Sequence, residues 1–253
     1  MYFLEMILLA AVQGLTEFLP ISSSGHLYLL ETFFGTEPDL FLAIWLHAAS
    51  LLAVMWFFRQ RIVSLFRGLF GNSSEQGVAL KLILSTLLTF PLALLVKELF
   101  IDEGFLSLSV VGITLILTGV FIIISEKLAG TRTGISWLDS IIVGLAQGVS
   151  VIPGISRSGT TIATLVSMGV SKKSAAEYSF LLSIPTILAA FLLGLYEYRD
   201  TVSQVTDVSY LVPFVITVIV SYVTIRYMMN LIEKHWIYFA PYCLILGAIL
   251  VIL

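Results

Sequence analysis

Long apolar runs separated by short polar breaks organise this chain. The runs at about Leu40–Phe58, Val78–Val96, Phe105–Ser125, Ala175–Tyr196, Val208–Met229 and Trp236–Leu253 each approach the roughly 20 residues a helix needs to cross a bilayer, and they predict six spans. Four shorter stretches, about Phe3–Thr16, Leu27–Phe34, Trp137–Val149 and Thr161–Met168, are too short to cross. In pairs they flank polar breaks, which predicts two re-entrant helical hairpins. Met1–Pro20 does not fit a signal peptide, because Glu5 stands where a positive start is usual and no small-residue cleavage site follows. The expected fold is an all-α polytopic membrane protein, one integral domain over residues 1–253.

The two polar breaks are copies of each other. QGLTEFLPISSSGH (Gln13–His26) aligns without a gap on QGVSVIPGISRSGT (Gln147–Thr160), sharing Gln13/Gln147, Gly14/Gly148, Ile21/Ile155, Ser22/Ser156, Ser24/Ser158 and Gly25/Gly159. The match extends upstream, with FLEMILLAAVQG from Phe3 on WLDSIIVGLAQG from Trp137. Two internal repeats follow, about 1–125 and 135–253, joined by a linker from Glu126 to Ser136. Their differences carry the chemistry: Glu17 and His26 belong to the first copy, Arg157 to the second.

Composition and charge sharpen this picture. Hydrophobic residues make up 58% of the chain and charged ones 11%, with a mean hydropathy of +1.04, values of an integral membrane protein. Lysine and arginine collect in cytoplasmic loops. With the Arg59–Arg61 end of the first span inside, Arg67, Lys81, Lys127, Arg132, Lys172, Lys173, Arg226 and Lys234 also fall inside. Lys97 and Arg199 fall outside, beside Glu98, Asp102, Glu103, Asp200 and Asp207. Gly35 then lies outside and its counterpart Gly169 inside. The repeats are therefore expected to be inverted, with one hairpin entering from each face and their tips meeting near the midplane, as in membrane proteins that build sites from broken helices. Topology accounts for the basic residues, so no nucleic-acid partner is expected, and Cys243 alone excludes a disulfide within the chain.

The breaks suit phosphate. Ser22-Ser23-Ser24-Gly25 and Ser156-Arg157-Ser158-Gly159 precede short helices, offering hydroxyls, backbone N–H groups and a positive helix end. Arg157 adds a fork that binds phosphate oxygens in pairs. Close helix packing would explain the small residues, but not an arginine, a glutamate and a histidine among them, each costing about 2.5–3.5 kcal/mol on insertion scales. Weaker candidates are His47, for which packing outweighs a place in a cavity, and the pair Glu177 and Tyr178, equally suited to interhelical bonding. Lys97-Glu98 and Asp102-Glu103 look like a solvated loop. Pro91, Pro185 and Pro213 are expected to kink spans and give room for an isoprenoid tail.

At these residues the chain resembles the BacA/UppP family of undecaprenyl-diphosphate phosphatases, over essentially its whole length. The first break is similar to (E/Q)GxTEFLPxSSxGH and the second to PGxSRSG followed by threonine. The resemblance implies a multi-pass enzyme of the bacterial inner membrane that removes the terminal phosphate of a polyprenyl diphosphate. It also implies recycling of the lipid carrier for cell-wall and surface glycans, and bacitracin resistance. It places the family glutamate at Glu17, the variable acid or amide at Gln13 and the nucleophilic hydroxyl at Ser23, with His26 three residues on. It places the arginine at Arg157, flanked by Ser156, Ser158 and Thr161 as phosphate contacts. Ser23 would attack phosphorus while His26 or Glu17 takes its proton, or metal-bound water would attack with Ser23 only binding phosphate; the sequence leaves both open. Carboxylate and hydroxyl donors favour magnesium, with calcium as the other choice, held by Glu17 and diphosphate oxygens. The rival function is a flippase that moves the same lipid without cleaving it. The site is expected to open to the outer face, and a homodimer is left open.

Overall fold

The computed structural model describes residues 3–36, 39–71, 74–102, 106–198 and 207–253. Glu103, Phe105, Arg199 and Asp200, on which the sequence reading drew, lie outside them. The described elements are helices: α1 (Phe3–Thr16), α2 (Ser23–Phe34), α3 (Leu40–Phe57), α4 (Arg59–Leu69), α5 (Ser74–Val96), α6 (Leu108–Lys127), α7 (Trp137–Val149), α8 (Arg157–Ser167), α9 (Lys172–Glu197), α10 (Val208–His235) and α11 (Phe239–Ile252). Side-chain oxygens begin many of them. Ser22 accepts the Gly25 N–H, Asp39 that of Leu42, Ser107 that of Val110, Ser156 that of Gly159 and Ser171 that of Ser174. Each satisfies an amide that the helix itself leaves bare, which matters most where no water reaches.

Among the described residues, five segments are long and apolar enough to cross a membrane: Leu40–Phe57, Ser74–Phe100, Leu108–Lys127, Lys172–Glu197 and Val208–Ile252. The chain is a multi-pass membrane protein. The last segment contains the fifth and sixth expected spans, divided at a 3₁₀ turn, Trp236–Tyr238. Packing shows what the turn does. Trp236 Nε1 donates to Ser125 Oγ (2.9 Å), Gly119 faces Ala240, and Gly112 lies against Gly247, so α11 retraces α6 in the opposite direction. By contrast α10 runs alongside α3, with Tyr210 against Phe41 and Ser221 Oγ bonded to Ser50 Oγ (3.1 Å). A β-carbon at Gly112 would lie 2.6 Å from the Gly247 carbonyl oxygen, so this helix pair closes on bare backbone.

The short apolar helices α1 and α7 dock on long ones from the far half of the chain. Thr217 Oγ1 of α10 donates to the Ala10 carbonyl (3.0 Å), while Thr89 Oγ1 of α5 donates to the Gly144 carbonyl (2.9 Å) and Ser85 Oγ to that of Ser140 (2.7 Å). Gly14 packs on Thr217 and Val220, and Gly148 on Thr89 and Leu92. Matching positions of the repeated segment thus make matching contacts.

Two differences from the sequence reading have local causes. The stretch after the first span forms α4, whose Ile62, Leu65, Phe66 and Leu69 recur at helical spacing, and Arg61 ties it to Glu75 (2.5 Å) and Glu177 (2.9 Å). Beyond α5, Lys97–Asp102 continues as a π-type turn rather than a loop.

In the linker, the Arg132 fork reaches Asp139 (2.6 and 3.0 Å), which also accepts the Ser136 N–H (2.6 Å). Burial pushes the Asp139 carboxyl up, but the Arg132 hydrogen bonds and the Ser136 amide outweigh it and hold it below its usual range. A carboxyl depressed by folding lends stability that is complete above its unfolded value and is lost as pH falls through its folded one. Asp139→Asn should therefore lower the thermal midpoint in detergent at neutral pH, and the gap to wild type should shrink on acidification. A pH series of thermal shifts checks this.

Candidate active site

The site forms where the two polar breaks touch. Between α1 and α2 the chain unwinds over residues 17–22, ending at Ser22, whose φ of 68° is the one positive value among described non-glycine residues. That conformation is disfavoured for a residue with a β-carbon. Between α7 and α8 the matching turn contains Gly154 (φ 89°), whose hydrogen faces Thr114 Oγ1 with no room for a side chain. A β-carbon at Gly25 would lie 3.2 Å from Gly154 Cα, and Ser158 Oγ donates to the Leu19 carbonyl (2.9 Å).

Glu17 is the hub. Buried to 7% exposure, it accepts on Oε1 from Arg157 Nη2, and on Oε2 from Ser23 Oγ (2.6 Å) and Gln13 Nε2 (3.0 Å). His47 Nε2 stands 3.5 Å from the same Oε2. The other ring nitrogen of His47 donates to the Ala43 carbonyl (2.7 Å), which fixes the imidazole and turns Nε2 toward the carboxylate. Glu17 thus aligns a hydroxyl, a guanidinium and an imidazole from three separate elements.

These groups line a cavity of about 490 Å³. Ser22, Ser23, Ser24, Ser156 and Arg157 form its polar end with Glu17, His47, Gln147 and Ser150. Phe90, Leu94, Ile187 and Phe191 of α5 and α9 make it apolar elsewhere, and Lys97, Glu197 and Tyr198 line it too. Among the described residues, two buried polar atoms on the lining have no protein partner, Arg157 Nη1 and Gln147 Oε1. The Gln147 amide is oriented by Thr89, whose hydroxyl hydrogen goes to backbone carbonyls and whose oxygen accepts Gln147 Nε2 (3.1 Å). A buried donor and a buried acceptor without protein partners suit a polar ligand or ordered water.

The donor set does not fit a cation cage made by protein alone. Among the described residues no three His, Cys, Asp or Glu side chains gather, and both oxygens of Glu17 are already engaged.

A family model described as Bacitracin resistance protein BacA matches residues 6–249. The chain belongs to this BacA family. Among its relatives, undecaprenyl-diphosphatase 1 of Shouchella clausii is 38% identical, with 100% of this chain and 96% of the relative covered. Undecaprenyl-diphosphatase of Treponema denticola is also 38% identical (96% and 94% covered), and that of the archaeon Methanosphaera stadtmanae 37% (99% and 97%).

Within this BacA chain the expected site residues divide. Glu17, Ser22, Ser23, Ser24, Ser156 and Arg157 meet at the cavity. Gln13 stands behind Glu17 and holds it. Ser158 and Thr161 are spent on packing: Ser158 Oγ serves the Leu19 carbonyl, and Thr161, fully buried, bonds Ser179 Oγ (2.6 Å). Gly25 and Gly159 allow close approach of Gly154 and Ser156 rather than lining the cavity. His26 is not brought to Ser23. Its Nδ1 donates to the Ser22 carbonyl (2.7 Å), and its Nε2 meets the Tyr242 hydroxyl (2.6 Å), tying α2 to α11. The imidazole at the carboxylate is His47, which the sequence reading ranked as packing. Its signal was position alone, a histidine in the middle of a span.

Proposed function

We propose that this chain hydrolyses undecaprenyl diphosphate to the monophosphate and inorganic phosphate, in the plasma membrane. The observation that carries the reading is the Ser23 hydroxyl 2.6 Å from a carboxylate that Arg157 holds from the other half of the chain. Ser23 Oγ attacks the terminal phosphorus and its proton passes to Glu17 Oε2. The bond to the bridging oxygen breaks, and undecaprenyl phosphate leaves as an anion that needs no proton. Glu17 gives the serine's proton up to solvent; water then attacks the phosphoserine and passes a proton to the emptied carboxylate, which returns it to Ser23 Oγ as phosphate departs. Arg157 Nη1, free of protein partners, binds the phosphate oxygens on which charge is carried. His47 Nε2, its lone pair free because Nδ1 donates to Ala43, faces Glu17 Oε2 and can accept from the carboxyl while that oxygen holds the proton. A carrier moving the same lipid would need to bind phosphate, but it would have no use for a hydroxyl aimed by a carboxylate.

The divalent cation expected from the sequence belongs with the substrate: Glu17 would hold it only through diphosphate oxygens, and its chemistry would be charge neutralisation. The inverted arrangement of the halves is supported by the matching contacts of Gly14 and Gly148, and the distribution of basic residues supports reading the Lys97 end of the cavity as the outer one. The test is phosphate release from undecaprenyl diphosphate by purified protein in proteoliposomes. Release should stop when a membrane-impermeant chelator is added on the Gly35 side, and calorimetry should detect no magnesium binding without substrate. Absence of release despite tight lipid binding would overturn the reading in favour of a carrier.

A further inference from the structure

A second cavity, about 370 Å³, lies under the amphipathic helix α4. Its walls are Ile62, Leu65, Phe66 and Leu69 of α4, with Leu82 and Leu87 of α5 and Ile184 of α9 among its other residues; among the described residues Thr86 is its one polar residue. Nothing in the chemistry described above uses it.

Its position gives it meaning. The same two helices, α5 and α9, wall the catalytic cavity one turn further along. On α5, Thr86 and Leu87 border the lower groove while Thr89 and Phe90 border the upper cavity. On α9, Ile184 and Pro185 border the lower and Thr186 and Ile187 the upper. Residues three and four apart share a helix face, so Ile83, Leu87, Phe90 and Leu94 form one apolar stripe through both spaces. Pro185 lies inside α9, and its missing N–H releases the carbonyl of Leu181, another residue on the groove wall. Pro91 sits inside α5 beside Phe90 at the same level. Two of the three prolines that the sequence singled out, Pro91 and Pro185, therefore lie on the stretches of α5 and α9 that border the two spaces, while Pro213 belongs to α10.

We propose that the two spaces form one track, and that it holds the polyprenyl tail of the substrate whose diphosphate lies at Ser23. The inference rests on the diphosphatase reading and deepens it. A head group near the midplane of a hydrocarbon core about 30 Å thick leaves about 15 Å of one leaflet on either side, too little for an undecaprenyl chain to extend along the normal. A walled apolar track under α4 takes up the length. It also gives the enzyme a way to measure chain length, since a farnesyl tail, far shorter than undecaprenyl, is expected to fit within the upper cavity of about 490 Å³ and leave the groove under α4 empty.

Leu87 is 63% exposed on the lower stretch, so a larger side chain there enters the groove without entering a packed core. Leu87→Trp should raise KM for undecaprenyl diphosphate about tenfold, the equivalent of about 1.4 kcal/mol of lost binding. The kcat and KM for farnesyl diphosphate should stay as in wild type. A second measurement does not depend on hydrolysis: undecaprenyl monophosphate should protect Leu87→Cys from maleimide in phospholipid nanodiscs, and farnesyl monophosphate should not. Unchanged KM for the long substrate together with equal labelling under both lipids would mean that bilayer lipid alone fills the groove, and would overturn the proposal. Equal losses on both substrates would overturn it as well, by showing a general structural defect. Protection without hydrolysis would support the track while removing the diphosphatase reading.

Discussion

Ser23→Ala should lower kcat for phosphate release at least about 10³-fold, with the protein still folded and still binding the lipid diphosphate. Removing a nucleophile takes away the covalent route and leaves only the background that phosphate binding and electrostatics provide. Glu17→Gln should fall comparably, because an amide can still receive the Ser23 hydrogen bond but cannot take the proton. The decisive comparison is with His26. If its ring only ties α2 to Tyr242 of α11, as its two hydrogen bonds indicate, His26→Asn should stay within about tenfold of wild type. A His26 variant as inactive as the Ser23 variant would restore the histidine to the proton-transfer role that its spacing implies. Rapid quenching of wild type with radiolabelled terminal phosphate should trap label on Ser23. Ser23→Ala retaining most of the activity would instead identify water as the attacking group.

The contrast between His26 and His47 shows where sequence reasoning stops. Hydrophobic run lengths showed the long helices and, by their shortness, the broken ones, because the bilayer sets a length scale that composition alone can be measured against. The repeated segment showed that Glu17 and Arg157 matter, since intramembrane charge without purpose is too costly to keep. Local spacing was weaker evidence. Ser23 and His26 are three apart, which brings their β-carbons to the same side of a helix but does not make a hydrogen bond. The backbone of Ser22, in its left-handed conformation, turns Ser23 toward Glu17 and offers its own carbonyl to His26 instead. His47 could not have been found by spacing, because its approach to Glu17 depends on how α3 packs beside the turn. The fate of Ser158 and Thr161 was equally hidden: a hydroxyl reaches phosphate or a neighbouring carbonyl according to tertiary contacts a few ångströms away. Helix α4 is legible only in the apolar stripe of Ile62, Leu65, Phe66 and Leu69, a helical period in a stretch too short and too basic to register as a span.

The ion pair between Arg157 and Glu17 makes activity and stability separable. Arg157→Ala leaves a carboxylate at 7% exposure without its cation, and removing one partner of a buried pair costs about 3–5 kcal/mol. The variant should show a much lower thermal midpoint in detergent, and kcat should fall about 10³-fold or more because the donor facing the phosphate goes with it. Adding Glu17→Gln to Arg157→Ala removes the stranded charge, so most of the lost stability should return while activity does not. Arg157→Lys gives a third point. A lysine supplies a charge to Glu17 but not two divergent donors, so stability should stay near wild type while kcat still drops about 10²-fold, since Nη2 serves the carboxylate and Nη1 is the group left for substrate. If the double variant recovered no stability, the pair would not be what joins the two polar breaks. The bonds from Ser158 to Leu19 and the contact of Gly25 with Gly154 would then carry that joint by themselves. Recovery of stability without activity would show that one arginine performs two tasks, neutralising the carboxylate that activates Ser23 and binding the phosphate that Ser23 attacks.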